Sequence, residues 1–307
     1  MVFKRLLGGL GGPSVDTVLD GDSVPPGGVL SGQVRLRGGG AAVDVDHIAL
    51  ELVARVEADQ GAGREGGENG SARGAGESGG LVAFERFTIG GGFRLGEEEL
   101  RSVPFEVSLP WEAPVTELHG RSLGVALGVR TELAAAGEVD RSELDPLAVR
   151  PLAVQEAVLD ALGRIGFDFR SADLEHGRIG GTSQRLPFRQ EVELAPAPQY
   201  AHQVDEVELT FLAGPTGVEV VLEADKRGGS CSEGDDALAR FTVGHHHTGD
   251  WSTEVDGWVR QLVEHRAAYG TRMAYDGHDD VFFAEPRGEV PAGEDETRAR
   301  AQERHGR

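Results

Sequence analysis

Along the first half of the chain, apolar or β-branched residues alternate with polar ones: Val15, Thr17 and Leu19, then Val34 and Leu36, then Ile48, Leu50 and Leu52, followed by Val53 and Val56. An extended chain points successive side chains to opposite faces, so this period of two predicts half-buried antiparallel strands. Breaks at Pro25-Pro26-Gly27-Gly28 and Gly38 to Gly40 separate them, as turns between strands require. The alternation resumes at Leu81 to Ile89, Val103 to Leu109 and Leu123 to Val129. Residues 58 to 80 hold no branched aliphatic or aromatic side chain. Nothing there can offset the entropy of ordering, and a flexible Gly-rich hairpin tip is expected.

The first domain is expected to span 1–140, and the period changes after Pro151. Val154, Val158, Ala161, Leu162 and Ile165 fall at i, i+4, i+7, i+8 and i+11, one face of a helix. Pro151 suits its first turn and Gly163 or Gly166 its stop. Val158 and Leu162 are expected to bury between two strand-rich halves, with Glu156, Asp160 and Arg164 facing water. Strands follow at 167–174, 186–194, 204–212 and 218–224. The segment Val103-Pro104-Phe105 echoes Leu186-Pro187-Phe188, which suggests duplication of one sandwich unit. This second domain, with the junction helix, is expected at 141–227.

A C-terminal extension is expected at 228–284, with a strand at 238–243 and a helix over 251–268. Trp251, Val255, Trp258, Val259, Leu262 and Val263 recur there at helical spacing, and Thr253 with Asp256 could form a capping box. So apolar a stripe must be covered. Either it packs on its own domain, or Trp251, Val255, Trp258, Val259 and Leu262 form an interaction surface for a partner or a second copy of the chain. Charge without aromatics predicts a disordered tail at 285–307.

Composition narrows the function classes. With 307 residues and about 150 per domain, two cores are affordable by size alone. Glycine, at 46 residues, fits a turn-rich all-β protein and disfavours a helical bundle. Thirty Lys and Arg against 52 Asp and Glu give a formal charge of −22. Such a surface repels nucleic-acid phosphates and anionic lipid headgroups. Cys231 is alone, so an intrachain disulfide or thiolate cluster is excluded and a reducing, cytoplasmic setting is expected. The apolar stretch Leu6 to Leu10 is shorter than the roughly 7 to 15 residues of a signal-peptide core. No run approaches the roughly 18 apolar residues of a membrane span.

Few chemical motifs survive their context. Gly120-Arg-Ser122-Leu-Gly124 has the spacing of a nucleophile elbow, but the alternation after Ser122 leads into a strand and predicts a hairpin turn. Gly61-Ala-Gly-Arg-Glu-Gly66 has dinucleotide-loop spacing without a helix to follow. On a strand, His245 and His247 would share a face and could offer two imidazoles to a metal, with Asp250 or His278 as a third ligand; an exposed turn is the alternative. The acidic runs Glu97 to Glu99, Asp235-Asp236 and Asp276 to Asp280 lack EF-hand spacing and are expected to be solvated loops.

Several segments, taken in order, resemble the SpoOM sporulation-control family of bacteria. They are Val15-Asp-Thr-Val-Leu-Asp20 with Pro26-Gly-Gly-Val-Leu-Ser-Gly-Gln-Val34, Arg101-Ser-Val-Pro-Phe-Glu-Val-Ser-Leu-Pro110, Ala161-Leu-Gly-Arg-Ile-Gly-Phe167, Leu186-Pro-Phe-Arg-Gln-Glu-Val-Glu-Leu194, Asp205-Glu-Val-Glu-Leu209 and Val218-Glu-Val-Val-Leu-Glu-Ala-Asp-Lys-Arg227. The resemblance implies two tandem arrestin-like, immunoglobulin-like β-sandwiches, a cytoplasmic regulatory part in sporulation or development, and no catalytic residues. The expectation is a non-enzymatic scaffold or adaptor without a cofactor, binding regulatory protein partners or a second copy of itself, with no nucleic-acid or integral-membrane association. The alternatives are a metal-binding sensor or metal-dependent enzyme centred on His245 and His247, and an acidic module for a cationic small molecule or basic peptide.

Overall fold

The structure is a computed structural model that describes residues 4–5, 12–57, 79–224 and 237–276. The first half contains β1 (Lys4–Arg5), β2 (Ser14–Leu19), β3 (Val29–Arg37), β4 (Val43–Glu57), β5 (Gly79–Gly90), β6 (Phe93–Leu95), β7 (Leu100–Ser108), β8 (Glu117–Leu118), β9 (Arg121–Ser122), β10 (Leu127–Ala135) and β11 (Glu138–Pro146). Helix α1 (Ala153–Ile165) leads into β12 (Asp168–His176), β13 (Phe188–Ala195), β14 (Val207–Gly214), β15 (Gly217–Ala224), β16 (Ala237–Val243) and helix α2 (Trp251–Asp276). All of these strands belong to one compact unit, Met1–Tyr269. The expected loop 58–80 lies outside the described residues apart from Gly79 and Gly80, which open β5. The expected tail 285–307 lies outside them altogether.

Two sheets build the first half. One has the order β1-β2-β3-β7; the other has β11-β10-β4, with β5 and β6 on the far side of β4. Alternation along β4 buries Ile48, Leu50, Leu52, Ala54 and Val56 completely, as the sequence pattern required. Thr17 of β2 and Thr131 of β10 share a hydroxyl hydrogen bond of 2.5 Å between the two sheets. On the other face of β4, charge takes the place of apolar packing. Glu132 accepts from Arg86 at 2.6 Å, pairs with Arg141 at 2.8 Å and lies 3.0 Å from His47; Arg130 donates to Glu51 at 2.9 Å. Burial by itself would raise the Glu132 pKa, but the hydrogen bonds from His47 and Arg86 and the charges of Arg86 and Arg141 bring it down to about 2,.

The first half runs past the expected close at 140: β11 pairs with β10 as far as Pro146, and Val149 then bridges to Val24. The second half differs from the expected two-sheet sandwich. Among the described residues its strands form one antiparallel meander, β12-β13-β14-β15-β16. Helix α2 packs on it instead, with Trp258 stacked on Phe241 of β16 at 4.8 Å between centroids. An amphipathic helix can bury a sheet's apolar face as a second sheet would. Among the described residues the two halves share one strand pairing, a parallel bridge between Glu57 and Glu175. Nor do the echoed prolines match: Pro104 sits in β7, an outer strand where a missing N–H is tolerated, whereas Pro187 precedes β13, which has neighbours on both sides.

Helix α1 forms where its periodicity placed it. The Gln155 side chain accepts from the Leu152 N–H at 2.8 Å, and Gly166, at φ 109°, closes the helix in the left-handed region that glycine enters freely. Val158 and Leu162 are buried. Glu156 and Asp160 lie partly exposed on the outer side of the helix, where both also hold His119 of the β8–β9 turn. That turn, His119-Gly120, has φ of 50° and 74°, the backbone of a tight two-residue hairpin. Ser122 therefore lies in a hairpin strand, where its hydroxyl accepts from the Gly124 N–H at 3.2 Å.

Leu162 is 1% exposed, so Leu162→Ala should cost about 2 to 5 kcal/mol of stability in chemical denaturation.

Candidate functional site

The C-terminal helix begins at a side-chain cap. Asp250 accepts from the Thr253 N–H at 3.3 Å and from its hydroxyl at 2.8 Å, which satisfies orphan donors of the first turn. This corrects the expected Thr253–Asp256 box. Asp256 lies a turn further on, accepting from Tyr200 at 2.6 Å and from Arg260 at 3.0 Å. Those bonds lower its pKa, Tyr200 contributing most. The helix also runs beyond 268, to Asp276.

The apolar stripe of α2 is occupied within the chain. Val255, Val259 and Leu262 are fully buried, which corrects their assignment to a partner surface. Trp251 and Trp258 are half-buried, the first against His247 and the second against Phe241. The physical reason is area: an open apolar sheet face lies beside the helix, and covering it removes both surfaces from water.

The histidine triplet follows the end of β16 at Val243, so strand alternation does not govern it. His245 reaches back to the Gly214 carbonyl at 2.7 Å and stacks on Trp111. His247 pairs with Glu254 of α2 at 2.9 Å. The two rings thus serve different partners, one on the sheet side of the turn and one on the helix side. Asp250 is engaged as the helix cap, and His278 lies outside the described residues, as do Cys231, Gly61 to Gly66, Asp235-Asp236 and residues 277–280. Glu97 to Glu99 form an exposed turn in which Glu99 accepts from the Gly96 N–H at 2.7 Å.

A further constellation of ionisable groups lies on the β12–β15 sheet of the second half, on the face opposite its apolar side. Strands β12 and β13 pair Asp173 with Glu191, Glu175 with Arg189 and Ser171 with Glu193. Asp173, Glu175 and Glu191 offer carboxylate oxygens within 4.8 Å of one another. Arg189 donates to Glu191 at 2.5 Å and to Glu175 at 3.2 Å, and Ser171 donates to Glu193. Burial is the main reason that Asp173 is pushed up to about 6, with the negative charges of Glu175, Glu57 and Glu193 adding to it. Burial likewise pushes Glu191 up to about 7 against the pull of Arg189,. These groups can hold protons near neutrality, and their oxygens are of the type that hard cations take. The sequence reading passed over them. The available signal was acids spaced by two on consecutive strands, Asp173 and Glu175 followed by Glu191 and Glu193, because that spacing puts all four on one face.

Exposed apolar residues mark the outer strands. Leu100 of β7 is 70% exposed and Val139 of β11 is 54% exposed. Among the described residues each of these strands pairs with one neighbour only, β3 and β10 respectively.

Two measurements check these assignments. Trp258→Ala should destabilise the isolated protein, toward the lower end of the roughly 3 to 5 kcal/mol seen for aromatic truncation in cores. For Glu191, a pKa raised above its unfolded value means that its contribution is fully present below about pH 4.5 and is lost as pH climbs through about 7,. Glu191→Gln should therefore raise the melting temperature relative to the parent above about pH 8 and leave it nearly unchanged near pH 4.

Among the described residues, no helix is long and apolar enough to cross a membrane. Comparison with known proteins gives a consistent set of relatives. The family model described as SpoOM protein matches residues 3–228. The curated "Sporulation-control protein spo0M" of Bacillus subtilis (strain 168) is 32% identical over 231 residues, covering 73% of this chain and 81% of the relative. The crystal structure of Spo0M, sporulation control protein, from Bacillus subtilis superposes with a TM-score of 0.63 at 27% identity, covering 87% of this chain and 99% of that one. With the family model spanning most of its length, the chain belongs to the SpoOM family and shares the β-rich architecture of a sporulation-control protein.

Proposed function

We propose that this protein is a non-enzymatic regulator of bacterial sporulation or development that acts in the cytoplasm by binding other proteins. The observation that carries the reading is the largely exposed apolar side chain of Val139 on β11, in a chain whose relative is named for sporulation control. An apolar side chain held at the surface in this way can be covered by a partner protein. The stripe on α2 does not serve here, because Val255, Val259 and Leu262 are buried. A formal charge of −22 favours partners with basic surfaces.

Crosslinking and affinity recovery from sporulating cells of the native host test this, comparing the parent with Val139→Asp. An exposed substitution should change stability by no more than about 0.5 kcal/mol. The expected result is an intact melting profile with loss of the recovered partner and reduced spore formation. Unchanged recovery and sporulation would remove β11 as the interaction surface.

A further inference from the structure

On the β8–β9 hairpin, His119 meets helix α1 through two acidic partners. His119 Nδ1 lies 3.0 Å from Glu156 Oε1, and Nε2 lies 2.9 Å from Asp160 Oδ1. Glu156 and Asp160 are four residues apart, one turn of α1, so both carboxylates project toward the same ring. A neutral imidazole has one N–H donor and one acceptor nitrogen. Two ionised carboxylates can both be satisfied only by imidazolium, which donates from both nitrogens.

We propose that His119 is a proton-operated latch, closing the hairpin onto α1 when charged and releasing it when neutral. The backbone supports this assignment, because His119 sits at φ 50°, where a residue with a Cβ is strained and is held by its contacts. Beside the latch lies a groove of about 410 Å³, lined by Leu118, Leu159, Leu162, Phe167, Phe169 and Leu194. Leu118 belongs to the hairpin and Leu159 to α1, so the latch sets the distance between the groove's two apolar walls. Phe169 is already 46% exposed within it.

The charged groups around the ring are Glu156 and Asp160 on α1, Arg164 further along the same helix and lining the groove, and Glu117 and Arg121 flanking the turn on the hairpin itself. The hydrogen bond to Asp160 is the main cause of a raised His119 pKa; lost hydration opposes it, and the charges of Asp160 and Glu156 add to it. A raised folded-state pKa fixes the sign. The closed latch is favoured at low pH and is lost as pH rises through a folded value above the ordinary histidine 6.5.

NMR titration of the full chain tests the latch by following the His119 ring together with the methyl groups of Leu118 and Leu159. The expected result is a His119 midpoint above 6.5, with both methyl signals moving at that same midpoint. His119→Asn keeps a residue that tolerates the left-handed backbone and removes the charge, and its methyl signals should hold the alkaline positions at every pH. In Glu156→Gln, Asp160→Asn the midpoint should fall to 6.5 or below while the melting profile is retained. A parent midpoint at or below 6.5, or methyl signals that ignore the ring's titration, would overturn the proposal.

Discussion

Strand β4 is the constraint on which the rest of the structure depends. It pairs with β10 along one edge and with β5 and β6 along the other, and its end makes the single bridge to β12. A strand in that position must satisfy both faces at once. The inner face does so with Ile48, Leu50 and Leu52, which lose all contact with water and gain roughly 1.5 to 3 kcal/mol each from burial. On the outer face, Glu51 and the neighbouring Glu132 are nearly as deeply buried, which would be costly for unpaired carboxylates. Arginines from three other strands, Arg86, Arg130 and Arg141, close over them.

The same chain treats buried acids in two opposite ways, and the difference is the number of cations in reach. Glu132 has Arg86, Arg141 and His47 around it and ionises far more readily than an ordinary glutamate. Glu191 has Arg189 but also Asp173 and Glu175 close by, and it ionises far less readily. The first arrangement fastens strands together over the ordinary pH range. The second makes part of the second sheet responsive to protons, close to the point where Glu57 meets Glu175 and the two halves join. The His119 turn lies on α1, which also links the halves, so two of the places where they meet carry groups that can titrate near neutrality.

Periodicity made much of the architecture legible. Val34 with Leu36, and Ile48 with Leu50 and Leu52, mark strands because a pleated chain has a period of two whatever it packs on. Val154, Val158 and Leu162 mark α1 for the equivalent reason at 3.6 residues per turn. The Gly166 stop of that helix follows from a backbone preference that holds locally, whereas the helix starts at Ala153 behind a Leu152 cap, so Pro151 lies outside the first turn. The order of the family-like segments, from Val15-Asp-Thr-Val to Val218-Glu-Val-Val, pointed to the SpoOM family before any contact was known.

What lay beyond the sequence was every feature set by which elements become neighbours. The α2 stripe was equally compatible with a partner and with its own sheet, because apolar spacing states that a face must be covered and not by what; the stacking of Trp258 on Phe241 decided it. The histidine triplet suggested shared ligands only while it was imagined on a strand, and a turn sent His245 and His247 to different partners. The acids Asp173 and Glu191, and the pairing of His119 with Glu156 and Asp160, join residues 18 to 41 positions apart in the chain. The sequence by itself determined the strands, the helices and their apolar faces, since those depend on local geometry and on hydration of each side chain. Only the tertiary structure decided which charges meet, because electrostatic coupling acts through distances across space that chain order does not specify.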